Sequence, residues 1–411
     1  VSQSLRRSLR IASLSVACYF AWYPLAQWCS HQQCSVPNTC SCGTSNESNN
    51  LVSSEEPHGG ASSSSSANPT LSFQGRVAVI TGAGNGLGRQ YALALAARGA
   101  KVVVNDLGTA GNGSGSSSAP ADHVVEEIKK AGGRAVANYN SVEDGAKIIK
   151  TAIDHFGRVD IVVNNAGIIR DVSFKKMTET DWDLVYRVHL KGAFSVTRAA
   201  WPYFLKQGYG RIVNISSPAG LYGNYGQVNY STAKRGIIGF TLALHREGRR
   251  NGIKANVVAP VAASRMLETV MSKEAMSNLD PSTVANLVAF LAAEECPTSG
   301  DIFEVGGLWV SKLRWQRSKG VEFEPGFTLE DLADQFDAIS DFSEGAEYPT
   351  DFQGMVDKAL TSGIRLKKSG KQKQSNSMRS DRSTKSDQST ATDAGDGKGK
   401  QKKGDIAKSK L

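Results

Sequence analysis

The sequence predicts an α/β fold, with a doubly wound parallel sheet of seven strands covered by helices on both faces. Two observations predict it. From Phe73 onward, short apolar segments alternate with longer amphipathic segments, as strands and their connecting helices do. Motifs rich in glycine and asparagine follow several apolar segments, where the strands of such a sheet enter ligand-binding loops. We therefore expect one such domain over residues 71–315.

The elements follow in chain order. The first strand and its turn are "GRVAVITGAG", then come a helix in "RQYALALAARGA" and the second strand, "KVVVND". A helix in "ADHVVEEIKKAGG" precedes the strand "RAVANYN" and the helix "DGAKIIKTAIDHFG". The fourth strand is "VDIVVNNAG", which two helical stretches, "DWDLVYRVHLKGAF" and "VTRAAWPYFLKQ", separate from "GRIVNISS". A helix around "NYSTAK" leads to the last two strands, "IKANVVAP" and "DIFEVGG".

Charge is distributed unevenly along the 411 residues. The formal net charge is +9, and residues 364–411 alone hold 14 Lys and Arg against 5 Asp and Glu. This tail is rich in Ser, Lys, Gln and Gly and cannot bury enough apolar surface to fold, so we expect it to be disordered. The rest of the chain is neutral, and we expect no nucleic-acid partner.

The N-terminal region differs from the body of the chain in its cysteines. Five of the six cysteines lie within the first 42 residues, and Cys296 is the sixth. One cysteine cannot build a disulfide framework, so the body is typical of a reducing compartment. The N-terminal cysteines lack metal-site spacing, and no metal is expected. Residues 1–70, with a basic start, an apolar run and a serine-rich linker, fit a targeting segment, a membrane anchor or translated sequence upstream of the true start.

A glycine motif follows the first strand. In "TGAGNGLG", Gly82, Gly86 and Gly88 lie between the first strand and the first helix. Glycine lets the backbone turn tightly and approach a pyrophosphate, whose negative charge a helix N-terminus favours. The motif predicts a dinucleotide site, although glycines alone would also suit an ordinary turn.

Asp106 ends the second strand. A carboxylate at this position can accept hydrogen bonds from the adenosine ribose and would repel a 2′-phosphate, which favours NAD over NADP. The alternative is an ordinary turn aspartate.

Tyr230 and Lys234 are four residues apart and share one face of a predicted helix. A nearby ammonium and an oxidised nicotinamide would both stabilise the phenolate, so we expect the pKa of Tyr230 to be lowered. Ser217 closes the strand "RIVNIS" and could hold a substrate oxygen beside the tyrosine. A tyrosine and a lysine at this spacing are often only a surface pair; the glycine turn, "NNAG" and Ser217 favour a catalytic site.

These motifs together resemble the short-chain dehydrogenase/reductase family over about residues 73–310, through the glycine turn, Asn164 to Gly167, Ser217, Tyr230 and Lys234. More narrowly, "NDLG", "VHLKGAF", "RAAWPYF", "YGNYGQVNY", "AASRM" and "RWQRSKG" resemble the (3R)-hydroxyacyl-CoA dehydrogenase region of peroxisomal multifunctional enzymes type 2, or fungal hydratase-dehydrogenase-epimerases. The resemblance implies a Rossmann fold and NAD-dependent oxidation of (3R)-3-hydroxyacyl-CoA to 3-ketoacyl-CoA in fatty-acid β-oxidation.

The resemblance also implies roles for individual residues. Tyr230 would take the hydroxyl proton, Lys234 would lower its pKa and hold the nicotinamide ribose, and Ser217 would orient the substrate oxygen. The implied cofactor-binding residues are Gly82, Gly86, Leu87, Gly88, Asp106, Ser141, Val142, Asn165, Tyr230, Lys234, Ala262, Ala263, Ser264 and Arg265. The family further implies a homodimer through the long helices around Trp182 and Trp201.

Two positions depart from the family pattern. His189 stands where the wider family has a relay asparagine, although histidine is usual in the multifunctional branch; it would relay protons or be a satisfied core histidine. Asn140 replaces an aspartate of the relatives, and we expect a weaker adenine contact.

Three predictions concern the C-terminal half of the chain. The methionine-containing segment "VAASRMLETVMSKEAMSNLD" fits a lid over an acyl chain or an ordinary amphipathic helix. A helical extension over residues 316–363 should begin a helix at Thr328, with Asp331 completing its cap. Since the residues after 363 are of low complexity, we expect a stand-alone dehydrogenase without the hydratase domain of the relatives.

The last three residues, Ser409, Lys410 and Leu411, match the tripeptide of the peroxisomal import receptor. This predicts a peroxisomal location and that receptor as a partner.

Two other functions remain open. The chain could act on another alcohol or ketone, such as a steroid or an NADPH-linked ketoacyl substrate, which a cofactor assay would distinguish. It could also be a non-catalytic dinucleotide-binding partner, which an unaffected Tyr230→Phe variant would support.

Overall fold

A single sheet of eight strands forms the centre of the computed structural model, which describes residues 71–262 and 279–361. The strand order is β3-β2-β1-β4-β5-β6-β7-β8. The strands are β1 Val77–Thr81, β2 Lys101–Asn105, β3 Arg134–Asn138, β4 Ile161–Asn164, β5 Gly210–Ile215, β6 Ile253–Val261, β7 Ile302–Gly306 and β8 Trp309–Leu313. Strands β1–β7 pair in parallel, and β8 pairs antiparallel to β7.

The doubly wound fold is confirmed, but the expected count of seven strands was wrong by one. Strand β8 returns along β7 after a turn at Gly307, whose φ of 56° suits glycine. Its side chains are exposed or half-buried. An edge strand of this kind lacks the continuous apolar run that marks β1 or β4, so the apolar pattern does not reveal it.

Helices cover both faces of the sheet. The helices in the sheet domain are α1 Gly86–Ala97, α2 Ala119–Lys130, α3 Gly145–Phe156, α4 Glu179–Tyr186, α5 Gly192–Gln207, α6 Pro218–Tyr222, α7 Val228–Gly248 and α8 Pro281–Ala292. The C-terminal extension adds α9 Leu329–Asp334, α10 Phe336–Ile339 and a further helix over 352–361. Short 3₁₀ turns span Val142–Asp144, Phe174–Lys176 and Arg249–Asn251.

The core lies in two layers, one on each face of the sheet. Helices α1, α2 and α8 pack over one face, and α3 and α5 pack over the other. Alternate side chains of β1 pack into the two layers: Ile80 packs under α1, α2 and α8, and Val79 packs under α3 and α5. The sheet is therefore buried on both faces, which explains why its parallel strands are apolar throughout.

The first of the two predicted helical stretches after β4 contains a π-helical segment, Arg187–Lys191, which leads directly from α4 into α5. Single π turns inside α-helices widen the helix locally and often occur at functional sites. This one carries the buried His189.

The C-terminal extension packs through cation–π contacts as well as hydrogen bonds. The Arg235 guanidinium lies 4.4 Å from the Trp315 ring centroid, and the Arg314 guanidinium lies 3.5 Å from that of Tyr348. The predicted helix start is confirmed, because Thr328 and Asp331 form a reciprocal capping box at the start of α9. The boundaries 71–315 and 316–363 stay predictions.

Several predictions lie outside the described residues. They concern residues 1–70, the methionine-containing segment over 263–278, the basic tail and the C-terminal tripeptide. Among the helices that the structure describes, none combines the length and the apolar character needed to cross a membrane.

Candidate active site

The motif residues meet at the carboxyl ends of the parallel strands, where sheets of this type bind ligands. The glycine turn connects β1 to α1, and Ser217 follows β5. Tyr230 and Lys234 lie on α7. Strands β1 and β4 are neighbours while β2 lies on the other side of β1, so the strand order reverses at this point.

The glycine turn is shaped by close backbone packing. Gly82 has a φ of 62°, and a Cβ there would lie 2.8 Å from the Ala166 Cα. A Cβ on Gly88 would lie 2.2 Å from the Gly82 carbonyl oxygen, whereas one on Gly86 would meet nothing within 4 Å. Gly86 thus leaves open space above the turn.

The N-terminus of α1 suits an anion. Asn85 at the N-cap makes no side-chain hydrogen bond to the first turn, and no acidic residue lies there. The amide groups and the helix dipole therefore favour a negative group such as a pyrophosphate. Leu87, also predicted here, is in this first turn and half-buried.

The Asp106 carboxylate is held in a fixed orientation by two backbone amides. Its Oδ2 accepts a hydrogen bond from the Gly84 amide at 2.8 Å, and its Oδ1 accepts one from the Gly108 amide at 2.7 Å. A Cβ on Gly84 would lie 2.8 Å from Oδ2, so that position requires glycine. Each carboxylate oxygen has a further lone pair with which to accept from a ribose hydroxyl.

Asn165 connects the glycine turn to β4. Its side-chain nitrogen donates to the carbonyl oxygens of Thr81 and Gly82 at 2.9 and 3.0 Å. Thr81, which the sequence did not single out as a site residue, accepts on Oγ1 from the amides of Asn165 and Ala166. The Asn165 amide thus positions the turn, because both its donors are used within the protein.

The predicted adenine side lies after β3. Ser141 caps a 3₁₀ turn by accepting from the Glu143 amide at 3.3 Å. The Val142 side chain packs into the core near Gly192, which leaves the backbone of Val142 for contacts to a ligand. Asn140 is half-buried, and its carbonyl and side-chain oxygens accept from Asn105 and Asn138.

Ser217 and Tyr230 are hydrogen-bonded to each other through their side chains. Ser217 is the N-cap of α6, where its Oγ also accepts from the Ala219 amide at 3.2 Å. Burial raises the pKa of Tyr230 to about 12, although the hydrogen bond from Ser217 opposes this shift.

Lys234 is buried beneath the tyrosine. Its Nζ donates to the Ile215 carbonyl oxygen at 2.8 Å and lies 5.6 Å from the Tyr230 ring centroid. Burial lowers the pKa of Lys234 to about 7. In the chain without a cofactor, burial thus disfavours the charged form of both side chains. The lowered tyrosine pKa that we expected beside an oxidised nicotinamide stays a prediction.

His189 packs against the catalytic tyrosine predicted from the sequence. The two rings are perpendicular, with centroids 5.2 Å apart. His189 Nε2 lies 3.0 Å from the Ile168 amide nitrogen and 2.8 Å from the Ile168 carbonyl oxygen. Gly167 makes room for the ring, since a Cβ there would lie 2.4 Å from His189 Cε1.

His189 is neutral at physiological pH. Burial, assisted by the nearby Lys234, lowers the pKa of its imidazole to about 3. Its Nδ1 is buried without a hydrogen-bond partner among the described residues. The contact with Tyr230 fits the relay role, which stays a prediction, whereas the unpartnered Nδ1 does not fit a fully satisfied core histidine.

A chain of buried amides and hydroxyls behind the site was not predicted. Asn164 Nδ2 donates to Thr197 Oγ1 at 2.9 Å and to Asn214 Oδ1 at 2.7 Å. Asn214 Nδ2 in turn donates to Thr241 Oγ1 at 2.8 Å. The network ties β4 and β5 to α5 and α7. The sequence signal was an asparagine inside each of two otherwise apolar strands.

Part of the predicted nicotinamide side is not described. Ala262 follows β6 and is buried. Ala263, Ser264 and Arg265 lie outside the described residues. Within the ranges that the structure covers, no group of three or more potential ligands could hold a metal ion.

This chain is similar to several known proteins. The sequence model of the short chain dehydrogenase family matches residues 76–279. The peroxisomal multifunctional enzyme type 2 of Mus musculus is 53% identical over 283 residues, which are 68% of this chain and 38% of that protein. A short-chain type dehydrogenase/reductase of Mycobacterium tuberculosis is 50% identical over 273 residues, 66% of this chain and 96% of that protein.

The chain covers between 33% and 66% of the multifunctional relatives' length. Among solved structures, full-length peroxisomal multifunctional enzyme type 2 from Drosophila melanogaster matches with a TM-score of 0.61 and 43% identity, covering 72% of this chain and 50% of that one. A 7α-hydroxysteroid dehydrogenase complexed with NADH matches with a TM-score of 0.52 and 29% identity, covering 58% and 95%. The family uses the nicotinamide dinucleotides NAD or NADP. From its sequence match and the shared fold, this chain belongs to the short-chain dehydrogenase family.

Proposed function

We propose that the chain oxidises (3R)-3-hydroxyacyl-CoA to 3-ketoacyl-CoA with NAD, in peroxisomal fatty-acid β-oxidation. The observation that carries the proposal is the convergence of half-buried Ser217 and Tyr230 with buried Lys234 at the reversal point of the sheet. The names and 50–53% identities of the multifunctional relatives support the substrate class and the location.

The residues of the crevice fit a dinucleotide. The uncapped N-terminus of α1 and the open space at Gly86 suit its pyrophosphate. The Asp106 carboxylate, fixed by two amides, would accept from the adenosine ribose hydroxyls and repel a 2′-phosphate. This supports NAD over NADP.

In the proposed reaction, the ionised Tyr230 hydroxyl takes the proton of the substrate's 3-hydroxyl group. Ser217 already hydrogen-bonds Tyr230 and would donate a hydrogen bond to the same substrate oxygen, keeping its own proton. Lys234, anchored on the Ile215 carbonyl, would hold the nicotinamide ribose. Bound NAD⁺ would accept the hydride from C3 and add a positive charge beside Tyr230, which would lower the phenol's pKa.

A homodimer through α4 and α5 is part of the proposal. Several large apolar side chains on these helices are partly exposed, among them Trp182, Tyr186, Phe194, Tyr203 and Leu205. Trp201, by contrast, packs against the core, so of the two expected tryptophans Trp182 is the one available to a partner. The C-terminal tripeptide supports the import receptor as a second partner.

The test is NADH absorbance with (3R)- and (3S)-3-hydroxyacyl-CoA offered separately, each with NAD and NADP. We expect turnover with the 3R isomer and NAD, and at least a 100-fold loss, to order of magnitude, in Tyr230→Phe. Turnover confined to the 3S isomer would reject the stereochemistry. No turnover with either isomer, but turnover of a steroid alcohol, would favour the alternative substrate class.

A further inference from the structure

Asn229, immediately before Tyr230, uses its whole side-chain amide inside the protein. It is the second residue of α7 and only 2% exposed. Its Nδ2 donates to the carbonyl oxygens of Arg170 and Asp181 at 3.1 and 3.0 Å. Its Oδ1 accepts from the Tyr230 amide at 2.8 Å, one of the first-turn amides that a helix leaves without a partner. One buried side chain thus joins three segments.

The two carbonyl groups belong to a frame that is held together independently of Asn229. The Arg170 guanidinium donates to Asp181 Oδ1 at 3.1 Å and to the Asn112 carbonyl oxygen at 3.1 Å. Asp181 also forms a capping box with Thr178 at the start of α4. The frame is therefore rigid enough to orient the helix that Asn229 ties to it.

Two more contacts place the same segment against the start of α7. Gln227 donates to Asp171 Oδ2 at 2.7 Å, and the Val172 amide donates to the Gly226 carbonyl oxygen at 2.8 Å. The Asp171 charge acts on Tyr230 and contributes to its raised pKa. Movement of this segment relative to α7 would therefore change both the position and the acidity of the tyrosine.

We propose that Asn229 is a positioning residue for the reaction. It fixes the first turn of α7 against Arg170 and Asp181, and so holds the Tyr230 hydroxyl at hydrogen-bonding distance from Ser217. The inference rests on the proposed function, in which Tyr230 is the base.

Loss of this amide should affect turnover more than cofactor binding. Without it, two carbonyl groups in a buried setting lose their donor and the first turn of α7 can shift. Tyr230 is the next residue, and displacement of a reacting group by about 1 Å costs on the order of 100-fold in rate. Lys234 lies one turn further along and keeps its own anchor on Ile215, so cofactor binding should persist.

The experiment compares Asn229→Ala with Asn256→Ala in the full chain. Asn256 is also fully buried, donates to the Thr298 carbonyl oxygen at 3.1 Å and accepts from the Asp301 amide at 3.2 Å, but lies in the first half of β6. We expect similar losses of stability in the two variants. Only Asn229→Ala should lose kcat, by about 10- to 100-fold, with KM for NAD within about threefold of wild type.

The pH profile separates positioning from simple destabilisation. In Asn229→Ala the alkaline rise of kcat should move to higher pH, because Tyr230 loses the geometry of its hydrogen bond to Ser217. Asn229→Ser, which keeps an acceptor and one donor, should recover part of kcat. Wild-type kcat and pH profile in Asn229→Ala, or an equal kcat loss in Asn256→Ala, would overturn the inference.

If Asn229→Ala does not fold, the variant Asn229→Asp provides a second test. Asn229→Asp preserves the shape and the acceptor but places a carboxylate against two carbonyl oxygens, so it should lose kcat to a similar degree. Unchanged kcat in that variant would overturn the inference. Absence of turnover in the wild-type chain would instead reject the proposed function.

Discussion

At the scale of single residues, burial sets the ionisation of the site. It raises the pKa of Tyr230 to about 12 and lowers that of Lys234 to about 7, so both side chains are drawn toward their neutral forms. Lys234 therefore stabilises the Tyr230 phenolate less than we expected from the spacing of the two residues. A cation placed against the phenol would be needed to make it a base near neutral pH.

The buried positive charge of Lys234 should lower the free energy of unfolding. The folded pKa of about 7 lies below that of an unfolded lysine, about 10.4, so the penalty is full below pH 7 and declines as pH rises to 10. We expect Lys234→Met to be more stable than wild type by about 2 kcal/mol at pH 6, the gain being reduced by the lost bond to Ile215.

Urea denaturation at pH 6 and pH 9 measures this difference. The stability gain should be smaller at pH 9, and turnover should be lost at both pH values. If Lys234→Met were less stable than wild type by the same amount at both pH values, the buried charge of Lys234 would not be destabilising.

The convergence of Ser217, Tyr230 and Lys234, the proposed catalytic residues, could be predicted because it depends on local spacing. Tyr230 and Lys234 lie one helical turn apart, and Ser217 ends a strand, so spacing alone brings them to one edge. Asn229 and Thr81 could not be predicted in the same way. Their roles depend on which distant carbonyl and amide groups the tertiary fold brings to them.

At the scale of elements, the π-helical segment and the turn after β4 fit each other closely. The segment places His189 against Tyr230, and Gly167 accepts the ring because it has no side chain. A π-helical segment of five residues leaves no mark in the apolar periodicity, so the sequence predicted an ordinary helix there.

Gly167→Ala should therefore disturb the site by displacing the His189 ring. The added Cβ would lie 2.4 Å from His189 Cε1, and overpacking of this kind destabilises by about 1–3 kcal/mol. We expect kcat to fall as well, because the displaced ring pushes on Tyr230. Thermal unfolding and turnover measure the two effects.

Gly239→Ala is the matched control. Gly239 lies on α7 with nothing within 4 Å of an added Cβ, so alanine should stabilise the helix by about 0.5–1 kcal/mol and leave kcat unchanged. Equal effects of the two substitutions would contradict the role of Gly167.

Cap residues mark the start of a helix that was predicted and also of one that was not. The start of α9 followed from Thr328 and Asp331. Helix α8 has a comparable start, since Asp280 accepts from the Ser282 amide and Pro281 occupies the first turn. It was missed because it follows a segment whose pattern we assigned to a lid.

At the scale of the whole molecule, buried histidine should govern acid stability. The folded pKa of His189, about 3, lies below that of an unfolded histidine, about 6.5, so the unfolded chain binds more protons between these values. The stability that the neutral ring contributes is fully present above pH 6.5 and is lost as pH falls. Between pH 7 and pH 5 the free energy of unfolding should decrease by about 2 kcal/mol.

Denaturation curves at pH 7 and pH 5 test this for wild type and His189→Asn. The variant should lose less stability on acidification, because asparagine does not titrate. His245, whose pKa burial also lowers, contributes equally to both chains. Identical acid sensitivity in wild type and variant would contradict the neutral buried state of His189.

The doubly wound fold and the position of the glycine turn between β1 and α1 could be predicted because strand pattern and turn residues reflect local physics. The eighth strand and the buried network of Asn164 and Asn214 depend on how distant elements pack. Their sequence signals are too weak to stand alone.

The most direct test of the central claim is the titration of Tyr230 itself. Ultraviolet difference absorbance between wild type and Tyr230→Phe reports this phenolate among the other tyrosines, with and without NAD⁺. The account predicts a pKa near 12 for the chain alone and a pKa lowered by at least about two units when NAD⁺ is bound. A pKa of Tyr230 that is unchanged by saturating NAD⁺ would contradict it.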